Sequence, residues 1–150
     1  MTGRASAVRM RLALGLALIA APLPAAAEPV SVRVVWDGND AIGGTLVNRV
    51  RGLIAESADK REVGEVRPGL AVLLQTIDPA AEWQSGGRRP ELTVYSLVLN
   101  VRRGDGSADT FGSAALGYCR FAELASCARE VVAAIDEEIA RRGLARPGAG

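Results

Sequence analysis

The chain has no histidine and only two cysteines among its 150 residues. Without imidazole it lacks the side chain that most often serves as general base, proton shuttle or metal ligand near neutral pH. Two cysteines fall short of a structural zinc site, which takes four Cys or His ligands. A catalytic thiolate would have no imidazole to activate it. Lysine occurs once, at Lys60, so arginine carries the positive charge, a bias that reads as high-GC bacterial coding. No Gly-x-x-x-x-Gly-Lys and no Gly-x-Gly-x-x-Gly occurs, which excludes phosphate-cradling loops of those two kinds. No internal repeat and no second domain is visible. Cofactors and metals are therefore not expected, and no residue is assigned a catalytic role.

No acidic residue precedes Glu28, whereas Arg4, Arg9 and Arg11 make the N-terminus positive. They flank the apolar run Leu12–Ala21, which Pro22 and Pro24 end before the small residues Ala25, Ala26 and Ala27. This is the layout of a cleavable secretory signal over residues 1–27, with the mature protein starting at Glu28 in the periplasm. The run is shorter than the roughly 20 apolar residues of a membrane span, so none is expected after cleavage. A lipoprotein would carry cysteine at the cleavage point, and twin-arginine export would need adjacent arginines; neither is present. The mature chain, with fifteen basic and seventeen acidic residues, carries a net charge of −2. That balance gives no broad basic field and excludes nucleic-acid binding of the electrostatic kind.

Periodicity predicts the elements of one domain over 28–143, followed by a flexible tail over 144–150. Val30, Val32, Val34 and Trp36 alternate as on a half-buried strand. Ile42, Leu46, Val47, Val50, Leu53 and Ile54 recur at helical spacing, predicting an amphipathic helix from Ala41 to Ala58. Gly52 inside it is expected to mark close approach to the sheet. A short strand is expected within 61–67. Leu70–Ile77 is apolar at nearly every position, as in a central strand covered on both faces or paired on both edges. Leu92–Arg102 puts Tyr95, Leu97, Leu99 and Val101 on one face, and Gly104-Asp105-Gly106 turns the chain into a strand over 108–118. Leu124, Ala128, Val131, Ile135 and Ile139 draw one stripe along a helix from Phe121 to Arg142, which Gly143 stops. The expected fold is α+β: a two-layer α/β sandwich with a four- to five-stranded mixed sheet and two helices packed on one face. The first strand and Leu70–Ile77 are expected to be neighbours joined by a right-handed crossover.

Cys119 and Cys127 cannot bridge within one helix. Eight residues of helix rise about 12 Å, whereas bridged Cα atoms lie within about 7 Å. A disulfide therefore requires Cys119 to precede the final helix, where it would staple the strand end to the helix start. The oxidising compartment implied by the leader favours such a bond.

Other constellations are read against plainer alternatives. Ser57-Ala-Asp-Lys60 has Ser-x-x-Lys spacing but falls at a helix end without the supporting motifs of such enzymes. Asp105-Gly-Ser-Ala-Asp109 opens like a calcium loop, yet Thr110 and Leu116 stand where Gly and Glu are required, so a turn explains it. The overlapping Arg103-Gly-Asp105 triplet is read as part of that turn. Asp37 and Asp40, between strand and helix, are candidates for a ligand or acid–base site; turn formation and helix capping account for them as well. Trp83, with Arg88 and Arg89 nearby in a polar segment, is the candidate interaction site, since Trp and Arg are favoured interface anchors. The alternative is that Trp83 folds back over a sheet edge.

Several segments also carry a resemblance. Gly44–Ser57, Leu74-Gln-Thr-Ile-Asp78, Val94–Leu99, Gly117-Tyr-Cys119 and Cys127-Ala-Arg129 together resemble small exported proteins of uncharacterised function from Gram-negative bacteria. More distantly, the layout is similar to the N-terminal domain of the Tol-system propeller protein and to curli-secretion lipoproteins. Those are α/β modules that work through protein contacts, although the lipid-anchoring cysteine of the curli type is missing here. The functional expectation is a non-enzymatic periplasmic binding or accessory protein with an envelope-protein partner. The alternatives are a small hydrolase or ligand-binding protein using Asp37 and Asp40, and a structural subunit that self-associates through a sheet edge.

Overall fold

The structure, a computed structural model, describes residues 28–65, 67–80, 91–105 and 107–144. Strand β1 (Val30–Asp37) leads through Gly38 and Asn39 to α1 (Ala41–Ala55). Asp40 caps that helix: its Oδ1 accepts a hydrogen bond from the Gly43 amide at 2.6 Å, satisfying one of the unpaired donors of the first turn. Ile42, Leu46, Val47, Val50 and Ile54 form the buried stripe. The helix ends at Ala55 rather than Ala58, and the chain enters β2 (Lys60–Glu62), shorter than the segment expected over 61–67. β3 (Gly69–Ile77), β4 (Leu92–Arg102) and β5 (Thr110–Arg120) follow. A 3-10 turn (Phe121–Glu123) then opens into α2 (Leu124–Arg142), where Gly143 adopts the left-handed conformation that closes helices.

The sheet has five strands in the order β2-β1-β3-β4-β5. β1 pairs in parallel with both β2 and β3, whereas β3–β4 and β4–β5 are antiparallel. The sheet is thus mixed, and with its two helices the fold is an α+β sandwich. β3 is central because it is paired on both edges, and not because both its faces are covered. Its alternate residues Leu70, Val72 and Leu74 are fully buried, while Gln75 and Ile77 on the other side are exposed.

Both helices lie on the face formed by Val30, Val32 and Val34 of β1, Leu70, Val72 and Leu74 of β3, and Tyr95, Leu97, Leu99 and Val101 of β4. Small residues on the strands and helices permit the close contacts. A Cβ on Gly43 would run into Thr76 and Asp40, and one on Gly117 would run into the Tyr95 ring. Gly52 has nothing within 4 Å of where its Cβ would be, so the close approach falls at Gly43 instead.

Two ion networks bind the layers. Lys60 Nζ, nearly buried, reaches Asp136 on α2 at 2.6 Å and Asp59 at 2.9 Å. Burial alone would lower its pKa, but the hydrogen bonds to Asp136 and Asp59 outweigh that and raise it. At the opposite edge, Glu138 of α2 is completely buried and faces β5. Ser113 Oγ donates to its carboxylate at 3.0 Å, and Arg141 and Arg142 approach it at 2.8 and 2.9 Å. Gly112 makes the room, since a Cβ there would collide with the Glu138 carboxylate.

Candidate functional site

The helices cover only one face of the sheet. The alternate residues of each strand form an open face, and its composition is unusual for a surface in contact with water. Val35, Leu73, Val98 and Ala114 are cross-strand neighbours in one row; Ile77, Val94 and Tyr118 form another. Leu116 is 82% exposed, Tyr118 63%, and Phe111 and Ile77 60% each. Single exposed apolar side chains are ordinary, but contiguous rows of them mark contact surfaces.

This patch runs to the edge strand β5, which is eleven residues long and carries no charged side chain from Thr110 to Cys119. Edge strands are usually blunted by charge, proline or brevity. β5 has none of these before Arg120. The other edge, β2, is three residues long and bears Lys60, Arg61 and Glu62. The two borders of the sheet therefore differ: one is guarded and one is open.

Asp37 and Asp40 are not brought together. Asp37 is exposed on the open face, where Gln75 Nε2 donates to it at 3.4 Å. Asp40 is buried under α1 as its N-cap, close to Thr76, whose hydroxyl accepts a hydrogen bond from Trp36 Nε1 at 2.9 Å. One carboxylate is solvated and the other serves the helix end. Ser57 and Lys60 both hydrogen-bond to Asp59. Lys60 is held protonated, whereas a lysine base needs the opposite shift. Asp105 accepts from the Ser107 amide at 3.0 Å, and Asp109 pairs with Arg102 at 3.0 Å, so this turn is tied up internally. Among the described residues, no group of three acidic or cysteine side chains is arranged to hold a metal ion.

Cys119, last but one in β5, meets Cys127 in the first turn of α2 as a disulfide pair with Cα atoms 6.0 Å apart. The 3-10 turn over 121–123 lets the chain fold back far enough for this; a helix beginning at Phe121 would leave less slack. Both sulfurs are buried beside the core. Trp83, Arg88 and Arg89 lie outside the described residues.

At the end of the sheet where β1 begins and β4 finishes, a cleft of about 610 Å³ opens. Arg61, Arg67, Arg102, Arg103 and Arg142 line it, together with Glu28. These arginines, like the open-face residues, were not singled out from the sequence. The available signal for the face was the apolar character of both sides of Leu92–Arg102, where Val94 and Val98 occupy the side opposite Tyr95, Leu97 and Leu99. The arginines gave no comparable signal, because they are scattered from position 61 to 142 and meet only through strand order.

The geometry defines a disulfide-paired α+β domain in which, among the described residues, nothing covers the second, partly apolar sheet face and one edge strand is long and free of charge. The chain matches no known family and no curated protein. None of the described helices is long and apolar enough to cross a membrane.

Proposed function

We propose that this is an exported, non-enzymatic binding or accessory module of an envelope complex, working in the periplasm. Its contact surface is the open sheet face together with the β5 edge. The observation that carries the reading is the apolar row of Ile77, Val94 and Tyr118, with Leu116 next to it on β5, in a charge-free edge strand. The occupant is a protein partner that lays a neutral, apolar strand along β5 and covers the face behind it. Strand addition supplies main-chain hydrogen bonds, and the alternate side chains supply specificity. The basic, then apolar, N-terminus and the cysteine pair support export.

The test is photo-crosslinking in cells producing the full chain, with the reactive group at Tyr118 or, as a control, at Asn48, exposed on α1. The expected result is one dominant envelope-protein adduct from position 118, lost when Leu116→Asp is added. Adducts no more specific from 118 than from 48 would remove the basis of the proposal. An adduct containing a second copy of the chain would replace the accessory role with that of a self-assembling structural subunit.

A further inference from the structure

The arginine-lined cleft lies at the end of the same open sheet face, beyond the apolar rows, and its floor has a particular construction. Arg61 of β2 is in register with Ser31 of β1, and Arg102 of β4 with Gly69 of β3. Gly69 and Ser31 touch: a Cβ on Gly69 would collide with the Ser31 carbonyl, and its φ of +146° is one that side chains rarely permit. Two arginines thus stand on the outer strands of a four-strand row whose two middle members are a serine and a glycine. Three strand spacings separate them, roughly 14 Å at the Cα atoms. The small residues between leave a hollow with a guanidinium at each side.

Two further arginines rim it from the turns: Arg67 before β3 and Arg103 after β4. The local acids pair with only part of this group. Asp109 holds Arg102, Glu138 holds Arg142, and Glu65 is 3.7 Å from Arg67. Arg61 and Arg103 have no ion-pair partner among the described residues. Arg102 keeps its Nε buried without a hydrogen-bond acceptor, although its terminal nitrogen is paired. Donors left over after internal pairing, in a protein whose mature chain is net negative, are what an anion site requires.

We propose that this cleft binds an anion bearing two or more phosphate groups, held between Arg61 and Arg103 with Arg102 and Arg67 completing the contacts. The planar forks of arginine match phosphate oxygens in pairs, whereas a single carboxylate would satisfy only one side of a hollow this wide. Its volume lies within the range usual for small-ligand sites. The shared chemistry is the phosphate group, whether free or on a lipid headgroup.

The experiment is titration calorimetry of the oxidised protein with tripolyphosphate, and flotation with vesicles containing cardiolipin, whose headgroup carries two phosphates. Arg61→Ala and Arg103→Ala, both at exposed positions, are each expected to weaken binding about tenfold or more, as loss of a charge-assisted hydrogen bond does. Arg61→Lys should weaken it less, and Arg49→Ala on α1 should leave it unchanged. Binding of tripolyphosphate alone identifies a soluble ligand, and binding of vesicles alone a headgroup; either supports the site if the Arg61 and Arg103 variants lose it. Absence of both, equal binding of citrate, or binding indifferent to Arg61 and Arg103 would overturn it.

Discussion

Glu138 of α2 and Ser113 of β5 share a hydrogen bond of 3.0 Å, with Ser113 half-buried and the Glu138 side chain fully so. This contact with the strand is reinforced by Arg142, which bonds the same carboxylate and also donates to the Phe111 carbonyl at 3.1 Å. The network thus fixes the edge strand to the second helix at its bulge, where Gly112 of β5 is the extra residue opposite Leu99 and Asn100 of β4. β5 is held from behind, which keeps its front face and outer edge in place.

Glu138 gives the first prediction. Burial would raise its pKa, but hydrogen bonds from Arg142 and Ser113 and the charge of Arg141 prevail, so it lies below the ordinary 4.5. A carboxyl whose folded pKa is depressed contributes stability that is complete above its unfolded value and is lost as pH falls through the folded one. Stability should therefore decline below pH 4.5. Glu138→Gln should cost about 2 kcal/mol at pH 7 and flatten that decline, as measured by urea unfolding at pH 7, 5 and 3.

Gly52 gives a prediction of the opposite sign. It lies in helical backbone with open space where a Cβ would go. Gly52→Ala should stabilise the domain by about 1 kcal/mol, through helix propensity and a less flexible unfolded chain. A lower melting temperature would contradict the open space around this position.

The cysteine pair closes a loop of nine residues counting both ends, from 119 to 127. In the chain-entropy treatment, such a closure is worth about 2–3 kcal/mol. The double variant Cys119→Ser, Cys127→Ser should lose that amount in denaturant unfolding and become indifferent to reductant. Mass measurement of exported protein, alkylated with and without prior reduction, should show the bond formed and residues 1–27 removed.

Leu116 separates association from stability. At 82% exposure it contributes little to the fold, so Leu116→Asp should change stability by no more than about 0.5 kcal/mol. The same substitution should abolish binding to the open face. Sedimentation of the variant alone and with the crosslinked partner distinguishes the two effects. A large loss of stability would show that this face belongs to the core.

The elements whose period is clean were legible from sequence. The stripe Ile42, Leu46, Val47, Val50 and Ile54 predicts α1 because one side of that helix meets the sheet and the other meets water. The residues 61–67 were harder: only Lys60–Glu62 pairs with β1, since three residues suffice to bring the chain alongside before it must turn towards β3. Gly52 misled because glycine has the same letter whether it relieves a contact or merely lacks one; the contact belongs to Gly43 against Thr76. β3 was ambiguous for a related reason. An apolar run is written the same way whether its second face is covered by helices or left open, and here Leu73 and Ile77 lie on the uncovered side. The arginine cleft was invisible, because Arg61 and Arg102 fall into one row across the sheet only through the strand order β2-β1-β3-β4.

The contrast between the two borders of the sheet has a consequence for assembly. A sheet that can accept a strand on either side can grow without limit, whereas β2, three residues long and fully charged, offers little to grow on. A junction made through β5 would leave only β2 as a free edge among the described strands, and stacking edge to edge would stop at a single seam.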